Sequence, residues 1–351
     1  MNYLINEITS DSETEKRNAG SKAKQDIRTI LSRRRDFHNI DINLTFKNRN
    51  GILYKIIKNI HEFIKWKKVF NFKRFNAEDV LFFQYPMCNY RIAYLGLINY
   101  LKKSKTKNVV IIHDLDGVRN LNNVRFLRKE IKFLNSFDYV IEHNQKMKNK
   151  MLELGINKPR FVDLCLFDYI TDKTIEDRTI DGDEIIIAGN LSKTKCGYIY
   201  DLPKNVRFGL YGVGYQGSQE NINYYGSYLA NEISLKIKGK FGLVWDGTSA
   251  KTCKGNYGNY LKINNPHKMS LYLSAGIPVI VWDESAVADF VIKNKCGITV
   301  SSLNEIHGKL ETLTDVQYNI MLENARLLSE KVRNGYFTMR AVDEVLMHNY
   351  E

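Results

Sequence analysis

The chain has 351 residues, of which 44% are hydrophobic and 12% aromatic. That composition belongs to a packed globular protein and excludes a disordered or fibrous one. The length exceeds one ordinary core, so two domains are expected. A net charge of +13 calls for an anionic partner, and no apolar run reaches the roughly 18 residues that a spanning helix needs.

Met1–Ile5 reads as a first strand. The N-terminal MNYLINEITSDSETEK turns acidic and polar too soon for a secretion signal. A helix is expected around Ser21–Arg34. From Lys16 to Arg74 there are seventeen Lys/Arg and four Asp/Glu, a surplus equal to the net charge of the whole chain. Inside that segment Leu53, Ile56, Ile57, Ile60, Phe63 and Ile64 recur at helical spacing. Lys55, Lys58, Lys65, Lys67, Lys68, Lys73 and Arg74 fill the remaining positions, with Trp66, Phe70 and Phe72 nearby. Such a helix either packs its stripe on the core or lies on an anionic membrane. Nucleic acid is not expected, because no RNA- or DNA-binding signature accompanies the charge.

Val80–Gln84 is a second apolar run. Tyr90–Lys102 reads as a helix. Val109–His113 is a strand of the kind buried on both faces. Asn122–Asn135 reads as a helix, Tyr139–Glu142 as a strand, and Gln145–Leu154 as a helix ended by Gly155. Glu184–Ala188 and Val206–Tyr211 are further strands. Gly212-Val213-Gly214 lacks the third glycine and the acidic ribose binder of a dinucleotide site, so it reads as a tight turn. Leu303–Tyr350 reads as a helical tail. Cys88, Cys165, Cys196, Cys253 and Cys296 are scattered without a CxxC pair, which suits reduced thiols in a cytoplasm rather than disulfides or zinc.

The most informative stretch is Phe241–Val291. Phe241–Trp245 and Ile277–Trp282 are strands. Between them a helix has Asn265 as its N-cap, Pro266 at its first position and Lys268 in its first turn, and it ends at Gly276. Strand, helix, strand is a parallel crossover whose helix start faces the carboxyl ends of the strands. Free amides and a lysine there make an anion site suited to a diphosphate. As a surface cation, Lys268 should be removable with little loss of stability.

Six segments carry a resemblance: RNAGSKAKQD (17–26), IHDLDGVR (112–119), EHNQKM (142–147), AGNLSKTKC (188–196), FGLVWDGTSAKTC (241–253) and residues 260–289, which include NNPHK. Through them the chain resembles bacterial glycosyltransferases of the GT-B fold. The likeness is to the beta-1,6-galactofuranosyltransferases of O-antigen and capsule assembly. It is also similar, more distantly, to the glucosyltransferase of streptococcal serine-rich repeat adhesins. The resemblance implies an α/β GT-B fold with two Rossmann-like domains facing across a cleft. Residues 1–167, completed by the C-terminal helix 330–351, would form the acceptor domain; 168–329 would bind the nucleotide sugar. It further implies UDP-galactofuranose as donor, no cofactor and no bound metal. The expected acceptor is a lipid-linked glycan, reached from the cytoplasm at the inner face of the plasma membrane.

On that frame Lys268, His267 and the amides after Asn265 would hold the diphosphate, with Lys193 as a second ligand where the adhesin-type enzyme has an arginine. Asn190, Tyr211, Asp246, Gly247 and Asp289 would meet the nucleotide or sugar, Tyr211 beside the uracil. Asp289 is equally read as a helix N-terminal charge. Leu271 stands where retaining relatives place a glutamate. Gly20 would let the first loop approach the donor. A beta product from an alpha donor needs one general base. Asp114 is its first candidate, then His113, then Asp116, which alternatively caps a turn. Asp114-Leu115-Asp116 is also a metal-binding DxD pattern, set aside because the diphosphate helix lies in the other half. Glu142 and His143 would line the acceptor cleft. A UDP-glucose-dependent adhesin glucosyltransferase and a non-catalytic sugar-nucleotide-binding partner remain the alternatives.

Overall fold

A computed structural model describes residues 1–8, 19–44, 51–72, 75–87, 93–119, 123–171 and 182–348. Its contacts divide the chain into two compact units. The first comprises Met1–Glu15, Ile27–Leu164 and Met339–Glu351; the second comprises Lys16–Asp26 and Cys165–Thr338.

The first unit holds six strands: β1 (Asn2–Ile8), β2 (Phe37–Asn43), β3 (Val80–Tyr85), β4 (Lys107–Ile112), β5 (Tyr139–Glu142) and β6 (Arg160–Asp163). They run parallel in the order β2-β1-β3-β4-β5-β6. The winding therefore reverses between β1 and β3. β3 is buried along its whole length and β4 along all but Lys107, as a parallel sheet covered on both faces requires. β2 was not anticipated. It lies at the sheet edge, and Phe37, Ile40 and Ile42 alternate with the exposed His38, Asp41 and Asn43, so its short polar text hides the period of two. Asn123 and Asn144 cap the helices Val124–Leu134 and Gln145–Glu153 by accepting from Phe126 N and Met147 N.

The helix Ile52–Phe72 is anchored chiefly through Trp66, and of the expected stripe Phe63 is half-buried beside Gly96. Trp66 is buried, stacks on Phe83 and Phe70, and donates its indole N–H to Glu7 at 3.1 Å. Leu53, Ile56, Ile57, Ile60 and Ile64 face solvent, so packing of this stripe on the core is not what the structure shows. Residues 73–74 and 88–92, which include Lys73, Arg74, Cys88 and the start of the expected 90–102 helix, lie outside the described residues, as do Arg17 and Asn18.

The second unit also holds six parallel strands: β7 (Ile185–Asn190), β8 (Phe208–Val213), β9 (Ile222–Tyr224), β10 (Phe241–Val244), β11 (Val279–Trp282) and β12 (Gly297–Val300). Their order is β12-β11-β10-β7-β8-β9. Counted from β7, this is the 3-2-1-4-5-6 order of dinucleotide-binding sheets, with its reversal between β7 and β10. Alternate residues enter opposite cores. Ile186, Ala188, Val279 and Val281 face one; Ile185, Ile187, Ile280 and Trp282 face the other. That two-sided burial is why these strands read as unbroken apolar runs. β12, only four residues with partly exposed positions, was not anticipated. The expected continuous tail is cut twice: a Thr314/Gln317 capping box starts the helix Asp315–Asn334, and Gly335, at φ +83°, ends it.

The crossover helix between β10 and β11 spans His267–Ser274. Gly276 follows at φ +70°, as a helix stop requires. Tyr272 on this helix is fully buried, and its hydroxyl accepts from Ala188 N at 2.8 Å. A Cβ at Gly242 would lie 2.2 Å from the Tyr272 ring, so only glycine fits at that point of β10. Gly242→Ala is expected to cost about 1–3 kcal/mol by overpacking. The drop in urea midpoint measures it; an unchanged midpoint would mean that the ring moves freely.

Candidate active site

Lys268 is the second residue of the helix His267–Ser274, and its side chain turns down onto the end of β10. Its Nζ donates to Trp245 O at 2.9 Å and to Asp246 Oδ1 at 2.7 Å, with Cys196 Sγ at 3.9 Å. The lysine and aspartate side chains are only 11% and 12% exposed. Burial on its own pulls the ammonium down; the charge of Asp246 outweighs it, and the group is held above its usual range. Lys268 Cε also lies beside Gly189, 3.6 Å from where a Cβ would sit. The pair thus occupies the ends of β10 and β7, where the winding of this sheet reverses and such sheets bind their ligands. No side chain caps the helix start.

The expectation of a dispensable surface cation is corrected here. Removing Lys268 would strand a buried carboxylate, a change worth about 3–5 kcal/mol. Asn265 is corrected too. Pro266, not Asn265, is the cap residue, and the Asn265 amide donates to Cys165 O at 3.0 Å, where the backbone turns to φ +72°. His267 is half-buried, its ring 5.0 Å from that of Phe167 and 5.9 Å from that of Tyr169. Gly189 and Asn190 are exposed at the end of β7, and Asn190 Oδ1 accepts from Ser192 N at 3.0 Å. Lys193 is exposed in the next turn, its Nζ 5.1 Å from the centroid of the Tyr200 ring.

Two expected donor contacts are not offered. Gly247 is buried, donates its N–H to Lys195 O at 2.8 Å, and would place a Cβ 2.3 Å from Lys254 O. Its role is to let two loops meet. Tyr211 is 3% exposed in a ring stack, with centroids 4.8 Å from Tyr225 and 6.2 Å from Tyr228, so it has no free face for a base. Asp289 is exposed in the first turn of the helix Ala288–Asn294. Gly20 lies within the first turn of the helix Ala19–Ser32 rather than in a loop. Two residues later Lys22 pairs with Asp26, donates to Ile170 O at 2.7 Å and lies over the Tyr169 ring.

In the first unit the His113–Asp116 cluster follows β4. Arg119, one turn on, forks across it, with Nη1 on Asp114 Oδ2 at 3.0 Å and Nη2 on Asp116 Oδ1. The three side chains are 26–34% exposed. Arg119 is the residue that sequence reading missed, although HDLDGVR places it within reach of both carboxylates. His113 is 8% exposed and its Nε2 meets Gln84 Oε1 at 2.9 Å. Gln84 donates to Asn6 Oδ1 at 2.8 Å, and Asn6 donates to Asn39 and Asp41. With the Gln84 amide so oriented, His113 is the donor at Nε2. A polar ladder therefore crosses β4, β3, β1 and β2, bridging this sheet's own reversal. His113 is a member of the ladder and its Nδ1 is buried. Asp114 and Asp116 are the carboxylates of the cluster that solvent can reach, Asp114 the more exposed of the two at 34% against 26%.

Glu142 and His143 do not line a surface; they are 1% and 0% exposed. His143 Nε2 donates to Ile112 O at 3.0 Å, and burial pushes its imidazole down to about 3. Burial pushes the Glu142 carboxyl up to about 8; Asp163 adds to the rise and Lys148 opposes it. A carboxyl raised above its ordinary 4.5 keeps its proton in the fold when the unfolded chain has lost it. Stability should therefore fall as pH rises from 4.5 to 8, by at most about 5 kcal/mol. Glu142→Gln should flatten that slope in urea midpoints measured across the window; an unchanged slope would place the titration elsewhere.

Arg119→Lys keeps the charge but loses the fork. Turnover should fall about ten-fold or more while the thermal midpoint moves little, because an exposed pair contributes under about 1 kcal/mol. Equal turnover would remove Arg119 from the site.

Two parallel six-stranded sheets with flanking helices, each with a winding reversal, give the chain the GT-B fold. The solved structures of similar fold agree. Sucrose-phosphate synthase from Thermosynechococcus elongatus superposes with a TM-score of 0.65 at 10% identity, covering 99% of each chain. Anabaena HepE in complex with UDP gives 0.59 at 13% identity, again over 99% of each chain. Residues 2–165 match the N-terminal domain, and residues 185–345 the C-terminal domain, of the Glucosyltransferase 3-like family. The chain is 34% identical to beta-1,6-galactofuranosyltransferase WbbI of Escherichia coli K12 over 349 residues, 98% of each protein. It is 26% identical to glucosyltransferase 3 of Streptococcus gordonii over 77% of this chain and 79% of that one. The protein belongs to this Glucosyltransferase 3-like family.

Proposed function

We propose that this glycosyltransferase moves galactofuranose from UDP-galactofuranose to a sugar hydroxyl of a growing surface glycan, inverting the anomeric centre and using no divalent metal. The buried Lys268–Asp246 pair at the winding reversal carries the donor half of the reading. Two of the three Lys268 N–H donors are committed to Trp245 O and Asp246. The third has only Cys196 Sγ at 3.9 Å, a weak acceptor that a phosphate oxygen readily replaces. Because Asp246 balances the Lys268 charge, the net attraction comes from the helix amides and the exposed Lys193. Fixed in this way, the lysine stabilises charge on the departing nucleotide without moving during the reaction. Asn190 and Asp289, both exposed, are the nucleotide or sugar contacts that remain from the expected set.

Asp114 takes the acceptor proton, oriented by Arg119, in a single displacement. The same Arg119 fork occupies both carboxylates of the DxD pattern, and this favours neutralisation by lysine and amides over chelation. Galactofuranose rests on the 34% identity with WbbI across the full length. The acceptor is lipid-linked and is met from the cytoplasm at the inner membrane face, in O-antigen or capsule assembly. The match to glucosyltransferase 3 favours a second reading, UDP-glucose transfer to a glycoprotein adhesin.

A panel of UDP-sugars with a glucoside acceptor, in EDTA, separates these readings by which donor releases UDP. UDP-galactofuranose is expected to lead. A preference for UDP-glucose selects the second reading, and dependence on manganese ends the metal-free one. Lys193→Ala should weaken UDP binding about ten-fold without loss of stability. Asp114→Asn should cut transfer by about 10²–10⁴ while UDP binding holds; full transfer by that variant would move the base elsewhere.

A further inference from the structure

We propose that the outer face of the helix Ile52–Phe72 is a docking surface for an anionic lipid bilayer. The helix has two apolar sides. The inner one, centred on Trp66, is committed to the sheet. The outer one is made of Ile52, Leu53, Ile56, Ile57, Ile60 and Ile64, which are 45–81% exposed. Positions 53, 57, 60 and 64, and equally 53, 56, 60 and 64, are linked by three- and four-residue steps, so they form one continuous stripe. Six large aliphatic side chains in one exposed stripe are unusual on a soluble surface and mark an interaction site. They need an apolar medium.

The flanking charge says which medium. Lys55, Lys67 and Lys68 are exposed beside and at the end of the stripe. Glu62, the helix's only acidic residue, is 1% exposed. The face is therefore apolar in its middle, basic at its margins and free of exposed acid. A second copy of the same face would bring lysines against lysines. An acidic headgroup layer over an acyl core complements both parts, with the isoleucines below the headgroups and the ammonium groups among the phosphates. No helix among the described residues is long and apolar enough to cross a membrane, so the contact is one of lying on the surface. The proposal extends the lipid-linked acceptor of the preceding reading but does not require it, since it rests on this helix alone.

Sedimentation of the full chain with vesicles tests it. Vesicles of equal parts phosphatidylglycerol and phosphatidylcholine should carry the protein down at low salt; phosphatidylcholine alone should not. Ile56→Gln/Ile57→Gln/Ile60→Gln and Lys67→Glu/Lys68→Glu should each reduce binding about ten-fold or more. Both variants should keep wild-type turnover on a soluble acceptor, which separates this claim from the donor and acceptor chemistry. No sedimentation with the anionic vesicles overturns the proposal, as does binding that the isoleucine variant leaves intact. Light scattering that showed a dimer, dissolved by the isoleucine variant, would assign the face to a second copy and overturn it equally.

Discussion

The carboxyl end of the second sheet is organised around a buried ion pair. Lys268 and Asp246 come from different elements, a helix start and a strand end, and their contact is made where the sheet changes winding direction. Each group would be costly alone in that setting, and together they are tolerated because Trp245 O takes another ammonium proton. The pair also fixes its surroundings. Gly189, at φ +127°, touches the lysine methylenes, Gly242 leaves room for Tyr272 on the same helix as Lys268, and Gly247 lets the Asp246 loop meet Lys254. Three glycines scattered through the sequence serve one local arrangement.

The first unit uses a different device at its own reversal. There the carboxyl ends of four strands are tied by hydrogen bonds from His113 through Gln84 and Asn6 to Asp41. This ladder consumes the polar side chains that a nucleotide site would use. The second unit instead leaves helix amides and an exposed lysine at its reversal. Two sheets of similar topology therefore offer different chemistry. The first presents a reachable carboxylate, Asp114, clamped by arginine; the second presents cationic donors.

Much of this was legible in the text of the chain. Buried parallel strands announce themselves as VVII or EIII because both faces are dry. The crossover helix showed through Pro266 and Gly276. Edge strands did not show: β2 mixes His38, Asn39 and Asp41 with three apolar residues, and β12 is too short to carry a pattern. Of the candidate site, residues could be named from the text but their contacts could not. Lys268 and Asp246 were both selected, but their mutual contact depends on a helix and a strand meeting in space, which no spacing reveals. Tyr211 and Glu142 have polar tips that suggest a surface, yet two-sided burial in the sheets takes them inside. The isoleucine stripe misled in the opposite sense, since helical period says that a face exists and not which face the core accepts. Trp66, a single large ring, decided that orientation.

The direct measurement is a crystal structure of the protein with UDP, grown in EDTA. The account predicts the pyrophosphate at the start of the helix His267–Ser274, within hydrogen-bond distance of Lys268 Nζ and the amides of His267 and Lys268. A pyrophosphate bound anywhere else, or one that appears only when manganese is added and is held by Asp114 and Asp116, would contradict it.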